Sequence, residues 1–490
     1  MKKWWTIPAA LIMGTAAALS FSACSDQSRV GVNGSISISY YKGGTGSAWI
    51  EEMAEAFEKD TGIAVNYEAD NNITVNAKTL LEAGRNLPDI MFVQYTNWRE
   101  YVQKGWLADM DDLYDGTFSY TVGDFTVTSS YSLDGTKSEF KTVDGATAGA
   151  ATLYDILDGS FRDYGNMAKT VNDDSHFWVI PWTAPATGLA YNVDILAEAG
   201  WSEPPATETE LKQCIADIKS KTDAAPFAWG GTEIKYWDFV VFTWWAQYQG
   251  VDEMRKYYDF ESTDVFLQEG RSEALSLWQE LVVDPATGDW INSIDKPMSL
   301  DHLESEYEFA QDGAAFVITG AYLENEIADI IDEDFNFKMM AVPTIDGAKE
   351  TGSVLNTEAG SFACIPAGAE NIEKAKAFLA YMNRPEQVEN FTQASGIIRP
   401  FNYSPSKLDE SSEFSQSVFE LYEESTRMWR YSDSGIFTYA GVSEWPYYGS
   451  ASLYGNLAGS SKKTVAEVIN TMYSYANKNW NSWQKAAGIA

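Results

Sequence analysis

SISISYYKGGTGSAWIEEMAEAFEKDTGIAVNYEAD, residues 35–70, and PDIMFV, residues 88–93, carry the reading that decides the fold. Residues 35–41 alternate polar and apolar in the two-residue period of a strand, and residues 48–60 then switch to the period of an amphipathic helix. Residues 62–68 (GIAVNYE) read as a second strand, residues 75–85 as a short helix and residues 88–93 as a buried third strand. Strands that alternate with helices in this way build a parallel α/β sheet. The loop Lys42-Gly43-Gly44-Thr45-Gly46 after the first strand has neither the phosphate-loop spacing with its terminal Gly-Lys-Ser/Thr nor the dinucleotide spacing. It reads as a tight turn that lets a ligand approach backbone amides.

Outward from this unit, 490 residues are too many for one compact domain of ordinary size, so two lobes are expected. Apolar content of 45% and aromatic content of 14% describe a globular chain. Its 18 tryptophans imply either heavy packing or a surface that stacks on flat ligands, such as the C–H faces of sugars. A formal net charge of −37 repels nucleic-acid phosphates and anionic headgroups, which excludes a nucleic-acid role. Two histidines, His176 and His302, leave little material for a His-rich metal site or a Ser-His-Asp triad, and both read as structural. No cofactor or metal is implied. Cys214 lies in a helical pattern and Cys364 in a strand-like run, so two separately buried thiols are expected rather than a disulfide.

The beginning of the chain has Lys2 and Lys3, an apolar run over residues 7–19, and Ser22-Ala23-Cys24. Thirteen apolar residues are too few for a bilayer, which takes about 20, so the run reads as the core of a cleaved signal. Cys24 fits a lipidated N-terminus, although Phe21 stands where leucine is usual; an ordinary secretory signal cut near Ala23 is the alternative. Either reading exports the chain. Residues 24–34 form a polar tether.

The stretches AWIEEMAEAFEKDTGIAVNYEAD and LPDIMFVQYTNWREYVQKGWLADMDDLYD, followed in order by VIPWTAPATGLAYNVDILAEAGW, FAQDGAAFVITGAYLENE, FKMMAVPTIDG and SFACIPAGAENIEKAKAFLAYMNRPEQVENF, resemble extracellular solute-binding proteins of ABC sugar importers, the family that includes maltose-binding protein. The resemblance covers most of residues 35–400. It implies an α/β periplasmic-binding fold of class II topology, two lobes with a ligand cleft between them, and three crossovers near residues 184–187, 355–361 and 400–404. One lobe would be built from residues 35–183 and 361–402, with an insertion over 118–175, and the other from 187–356 and 405–490. Within the insertion, residues 118–147 read as a β-hairpin and 150–168 as helical, and residues 411–430 and 463–480 read as a helical tail.

The same resemblance places ligand contacts on the loops that follow the strands: Tyr41, Lys42 and Thr45; Tyr95, Asn97 and Trp98; Trp182 and Thr183; Tyr236, Trp237 and Asp238; and Tyr322. Trp98 has the alternative of starting the next helix and packing inward. Pro185 stands where relatives can carry a ligand-binding acid, which speaks against maltodextrin. Asn356, Glu358 and Arg399 flank the other crossovers. The loop with Trp445 and Tyr447 is too aromatic for solvent and reads as a stacking wall or a plug that caps a lobe. Trp244 and Trp245 belong to one buried helix. Stacks and polar pairs of about 1 kcal/mol each could together reach micromolar affinity, which needs about 8 kcal/mol. The implied protein is a monomeric, lipid-anchored receptor that hands a carbohydrate to permease subunits and performs no catalysis. A polyamine receptor and a secreted glycoside hydrolase are the rival readings; the first would need acids around an aromatic box, the second a carboxylate pair.

Overall fold

The computed structural model describes residues 29–94, 98–134, 140–142, 150–164, 176–258, 261–332, 334–358, 361–405, 411–430, 450–460 and 462–486. Cys24, Tyr95, Asn97, Trp445 and Tyr447 lie outside the described residues.

The opening unit folds as its periodicity dictates. Strand β1 (Ser35–Tyr40) buries Ile36, Ile38 and Tyr40 and leaves its serines half-buried. The helix Ala48–Thr61 buries Trp49, Ile50, Met53, Ala54 and Phe57 along one stripe. It ends at Gly62, whose φ of 69° lets its N–H cap the carbonyl of Glu58. Strand β2 (Ala64–Ala69), the helix Ile73–Ala83 and strand β3 (Ile90–Gln94) follow, with β2 and β3 parallel to β1 on either side of it.

Two small antiparallel ladders then leave the sheet, β4 (Ser119–Val122) with β5 (Phe125–Thr128) and β6 (Ser130–Ser132) with β7 (Ala150–Thr152). Short helices at Leu153–Ile156 and Gly159–Tyr164 come after them. Strand β8 (Ile180–Pro181) brings the chain back to the first sheet, and β9 (Ala186–Asn192) opens a second. The second sheet adds β10 (Ala225–Ala228), β11 (Ala314–Gly320), β12 (Phe337–Met340) and β13 (Val354–Glu358). Strand β14 (Ser361–Cys364) returns to the first sheet and β15 (Thr426–Arg430) belongs to the second.

The first sheet runs β2-β1-β3-β14-β8, and the second β10-β11-β9-β13-β15 with β12 also on β9. The chain therefore passes between sheets after Pro181, after Glu358, and again between Cys364 and Thr426. Each sheet contains an antiparallel strand contributed by a crossing segment: β14 pairs Ser361 with Gln94, and β9 pairs Gly188 with Thr319.

The tail departs from the expected run of helix over 411–430. The helix Glu413–Glu424 stops at Ser425, which is extended, and β15 pairs in parallel with β13 from Thr426 to Arg430. No glycine or proline marks this stop; the unfilled edge of β13 and the burial of Met428 and Trp429 override the local pattern.

The core settles the question posed by the tryptophans for nine of them: Trp49, Trp98, Trp182, Trp229, Trp237, Trp244, Trp245, Trp278 and Trp429 are fully buried. In the first lobe Trp49, Phe92, Trp182 and Phe391 form one aromatic knot, with ring centroids 5.1–6.4 Å apart. Cys214 and Cys364 are free, buried and in different lobes, and burial pushes both thiols up to about 12. Among the described residues no helix is long and apolar enough to cross a membrane.

Candidate interlobe binding site

The ends of β1 and β11 face each other across the two lobes. After β1, Tyr41 donates its backbone N–H to Phe92 at 3.0 Å, and one turn of 3-10 helix, Gly43–Thr45, holds Thr45 buried and leaves Lys42 exposed. After β11, Tyr322 leads into the helix Leu323–Ile327. The two turns touch. Asn325 donates from Nδ2 to the carbonyl of Gly44 and to that of Ser395, both at 2.9 Å. A Cβ on Gly44 would lie 2.5 Å from Cβ of Tyr322 and 2.9 Å from Oε1 of Glu326, so glycine is required for this approach. Gly320 does the same within the second lobe: a Cβ there would meet the Tyr322 ring at 2.7 Å, so its absence lets that ring lie across the strand end.

A second aromatic side chain arrives from the 3-10 helix Ile234–Tyr236. The Tyr236 ring lies 6.4 Å from Tyr322, 4.8 Å from Phe239 and 5.7 Å from His302, and the two tyrosine hydroxyls are hydrogen-bonded. Tyr41, Tyr236 and Tyr322 are each half-buried. Burial first, and then the charges of Glu326, Glu358 and, for the last two, Glu306, hold all three phenols above the ordinary tyrosine range. They remain protonated donors at neutral pH.

Near these rings lies a carboxyl pair that the sequence reading missed. Glu306, on the helix His302–Ala310, is 1% exposed, and its Oε1 accepts from Thr319 at 2.6 Å. Its Oε2 and Oε2 of Glu326 are buried and have no donor from the protein; the two carboxyls can satisfy each other only when one carries a proton. Burial, followed by the charge of Glu326, pushes Glu306 well above the carboxylate range, and burial raises Glu326 as well. Only its place at three-residue spacing between Leu303 and Phe309 in HLESEYEFA hinted that Glu306 faces inward, and nothing local paired it with Glu326.

The structure thus gathers Tyr41, Thr45, Tyr236, Tyr322 and Glu358 about one junction and removes several other expected contacts. Trp98 starts the helix Trp98–Gln103 and is buried against Phe362 at 6.5 Å, with the Arg99 guanidinium over its ring at 4.7 Å. Trp182 belongs to the first-lobe knot, and Thr183 beside it is 2% exposed. Trp237 packs among Phe227, Trp229 and Trp278 in the second lobe, and Asp238 accepts from the buried hydroxyl of Tyr454. Asn356 is fully buried in β13 and donates to the carbonyl of Phe239 at 3.3 Å. Arg399 is fully buried and spends its donors on the carbonyls of Trp182, Met382 and Pro181 and on Asn383 Oδ1. Trp98, Trp237, Asp238 and Asn356 neighbour the loops in sequence but are buried on a helix or strand, whereas Trp182, Thr183 and Arg399 lie in irregular segments between elements and are buried there.

Residues 52–416 match the family model described as bacterial extracellular solute-binding protein. A provisionally named binding protein of Brucella abortus (strain 2308) is 23% identical over 380 residues, 76% of this chain and 77% of its own. Among solved structures, a chitin oligosaccharide binding protein superposes with a TM-score of 0.63 at 15% identity, covering 91% of this chain and 99% of that one. A chain described as a secreted solute-binding lipoprotein from Streptomyces coelicolor gives a TM-score of 0.62 at 18% identity, covering 90% and 98%. These neighbours share the two-lobed α/β architecture of periplasmic-binding proteins. With three quarters of its length matched and its two sheets arranged as described, this chain belongs to the family of bacterial extracellular solute-binding proteins.

Proposed function

We propose that this protein captures a carbohydrate, an oligosaccharide in particular, between its two lobes and delivers it to the permease of an ABC importer. The observation that carries the reading is the junction of Tyr41 with Tyr236 and Tyr322, where phenol donors stand beside carboxylate acceptors at the meeting point of two lobes. Aromatic faces accept sugar C–H surfaces, while donors and acceptors satisfy hydroxyls. A structural neighbour is by its own name a chitin oligosaccharide binding protein, which agrees with this class of ligand. Lys42, Thr45, Tyr95, Asn97, Glu358, Trp445 and Tyr447 are further contacts on this proposal. The chain is held at the outer face of the membrane through lipid on Cys24 and acts as a monomer.

Isothermal titration of the protein lacking residues 1–23 against neutral oligosaccharides tests the reading. Saturable binding is expected, with Tyr322→Ala and Tyr41→Ala each weakening it by about 1 kcal/mol, roughly fivefold. Release of reducing ends would instead favour a hydrolase. Incorporation of labelled palmitate, lost in Cys24→Ser, tests the anchor.

A further inference from the structure

We infer that the Glu306–Glu326 pair near Tyr236 and Tyr322 is a seat for a protonated amine, so that the carbohydrate taken by this site carries an amino group. The inference rests on the carbohydrate reading and adds a ligand class to it.

The first ground is a hydrogen-bonding demand that the protein meets only by holding a proton between the two carboxyls. Glu306 is 1% exposed, with one oxygen satisfied by Thr319 and the other without a donor, and Glu326 has a buried oxygen in the same condition. A sugar hydroxyl brings one O–H and can meet one of these oxygens. An ammonium brings three N–H donors, enough for both carboxylates and a phenol oxygen, through charge-assisted bonds.

The second ground is the aromatic surround. The rings of Tyr236 and Tyr322 stand 6.4 Å apart, both phenols feel the charges of Glu306 and Glu326, and Tyr41 from the other lobe feels that of Glu326. Tyrosine faces attract a desolvated cation and do not attract a neutral hydroxyl in the same way.

The third ground is local charge. The carboxylates that raise the three phenols are Glu326 and Glu358 and, for Tyr236 and Tyr322, Glu306, with Tyr236 acting ahead of them on Tyr322 and no lysine or arginine among the charges. Other elements packed here present Asp301 at the cap of the Glu306 helix, and His302, whose charge reaches Glu326 and whose ring lies 3.8 Å from Glu233. The polyamine rival needed acids around an aromatic box; the fold builds one from residues far apart in sequence.

Without ligand the pair holds one shared proton. An arriving ammonium takes the place of that proton, which passes to the buffer. Binding of the amine is therefore coupled to proton release, and affinity rises with pH as long as the empty pair is protonated.

The test is titration of the protein with a β-1,4-linked glucosamine oligomer, its N-acetylated counterpart, the glucose oligomer of equal length, and spermidine, in two buffers of different ionisation enthalpy. The glucosamine oligomer is expected to bind at least about tenfold tighter than both neutral sugars, to release a proton, and to tighten as pH rises above about 5 for as long as its own amines stay charged. Glu306→Gln should abolish the preference for the glucosamine oligomer and its proton release; Glu326→Gln repeats the test at a less buried position, and thermal unfolding of each variant verifies its fold. Equal or tighter binding of neutral sugars without proton release overturns the amine seat and leaves the carbohydrate reading standing. Binding of spermidine alone keeps the amine seat and overturns the carbohydrate reading; silence toward every sugar and toward spermidine overturns both.

Discussion

At the residue scale, Glu306 makes a prediction that needs no ligand. Its carboxyl is raised by burial and then by Glu326, and that of Glu326 by burial. A carboxyl whose folded value lies above its unfolded value, near 4.5, stabilises fully below that value and loses the contribution as pH rises through the folded one. The unliganded protein should therefore resist urea less as pH climbs from about 4.5 toward neutrality, and Glu306→Gln should flatten the slope. Urea melts across a pH series check this; a slope unchanged by the substitution would contradict it. Arg399 makes the opposite kind of prediction. Its donors hold three carbonyls and Asn383 in a fully buried site, so Arg399→Met leaves several acceptors unmet and should cost about 3 kcal/mol or more, read as a lowered urea midpoint with unchanged m. Cys214 and Cys364 should stay unlabelled by a thiol reagent in native protein and react once it is unfolded, because burial keeps both as thiols. Sequence alone could put Tyr41 and Tyr322 beside strand ends, since Tyr41 ends the first strand run and Tyr322 follows a strand and a tight glycine turn. It could not tell Tyr322 from Trp182, because facing a cleft and facing a core depend on which element packs behind.

At the element scale, the site hangs on short pieces with well-formed ends. Asp301 caps the helix His302–Ala310 with a reciprocal box: its carboxylate accepts from Glu304 N–H at 2.8 Å, and Glu304 accepts from Asp301 N–H at 2.9 Å. Asp301→Ala should cost about 1 kcal/mol in thermal or urea unfolding. The same box closes the helix Glu208–Lys221 through Thr207 and Glu210. Elements with a strong period were legible: strands over 35–40, 64–69 and 90–94 and the helix Trp237–Gln249 lie where residues 35–93 and FVVFTWWAQY indicate. Strand β15 was not, because TRMWR offers no turn residue before it and becomes a strand by adding to β13. Glu306 and Glu326 were illegible for a related reason: they come from two helices on either side of β11, and their meeting is a fact of packing.

At the scale of the whole molecule, the contact of Gly44 with Tyr322 and Glu326 separates lobe approach from folding. Gly44→Val adds atoms where a Cβ alone would already sit 2.5 Å from Tyr322, yet touches neither core. It should leave the unfolding midpoint within about 0.5 kcal/mol of the parent while weakening ligand binding and shifting the small-angle scattering profile toward a larger radius of gyration. A variant that binds normally with an unchanged profile would show that the turns need not meet. The placement of β14 has a different consequence, one of timing. This strand, at residues 361–364, sits between β3 and β8, so every residue of the second lobe up to Glu358 is synthesised before the first sheet can close. Until then β3 and β8 have no partner on their facing sides. Pairings that span some 270 residues make for late, slow folding. For a chain proposed to be exported, this topology delays closure of the first sheet until about three quarters of the polypeptide exists.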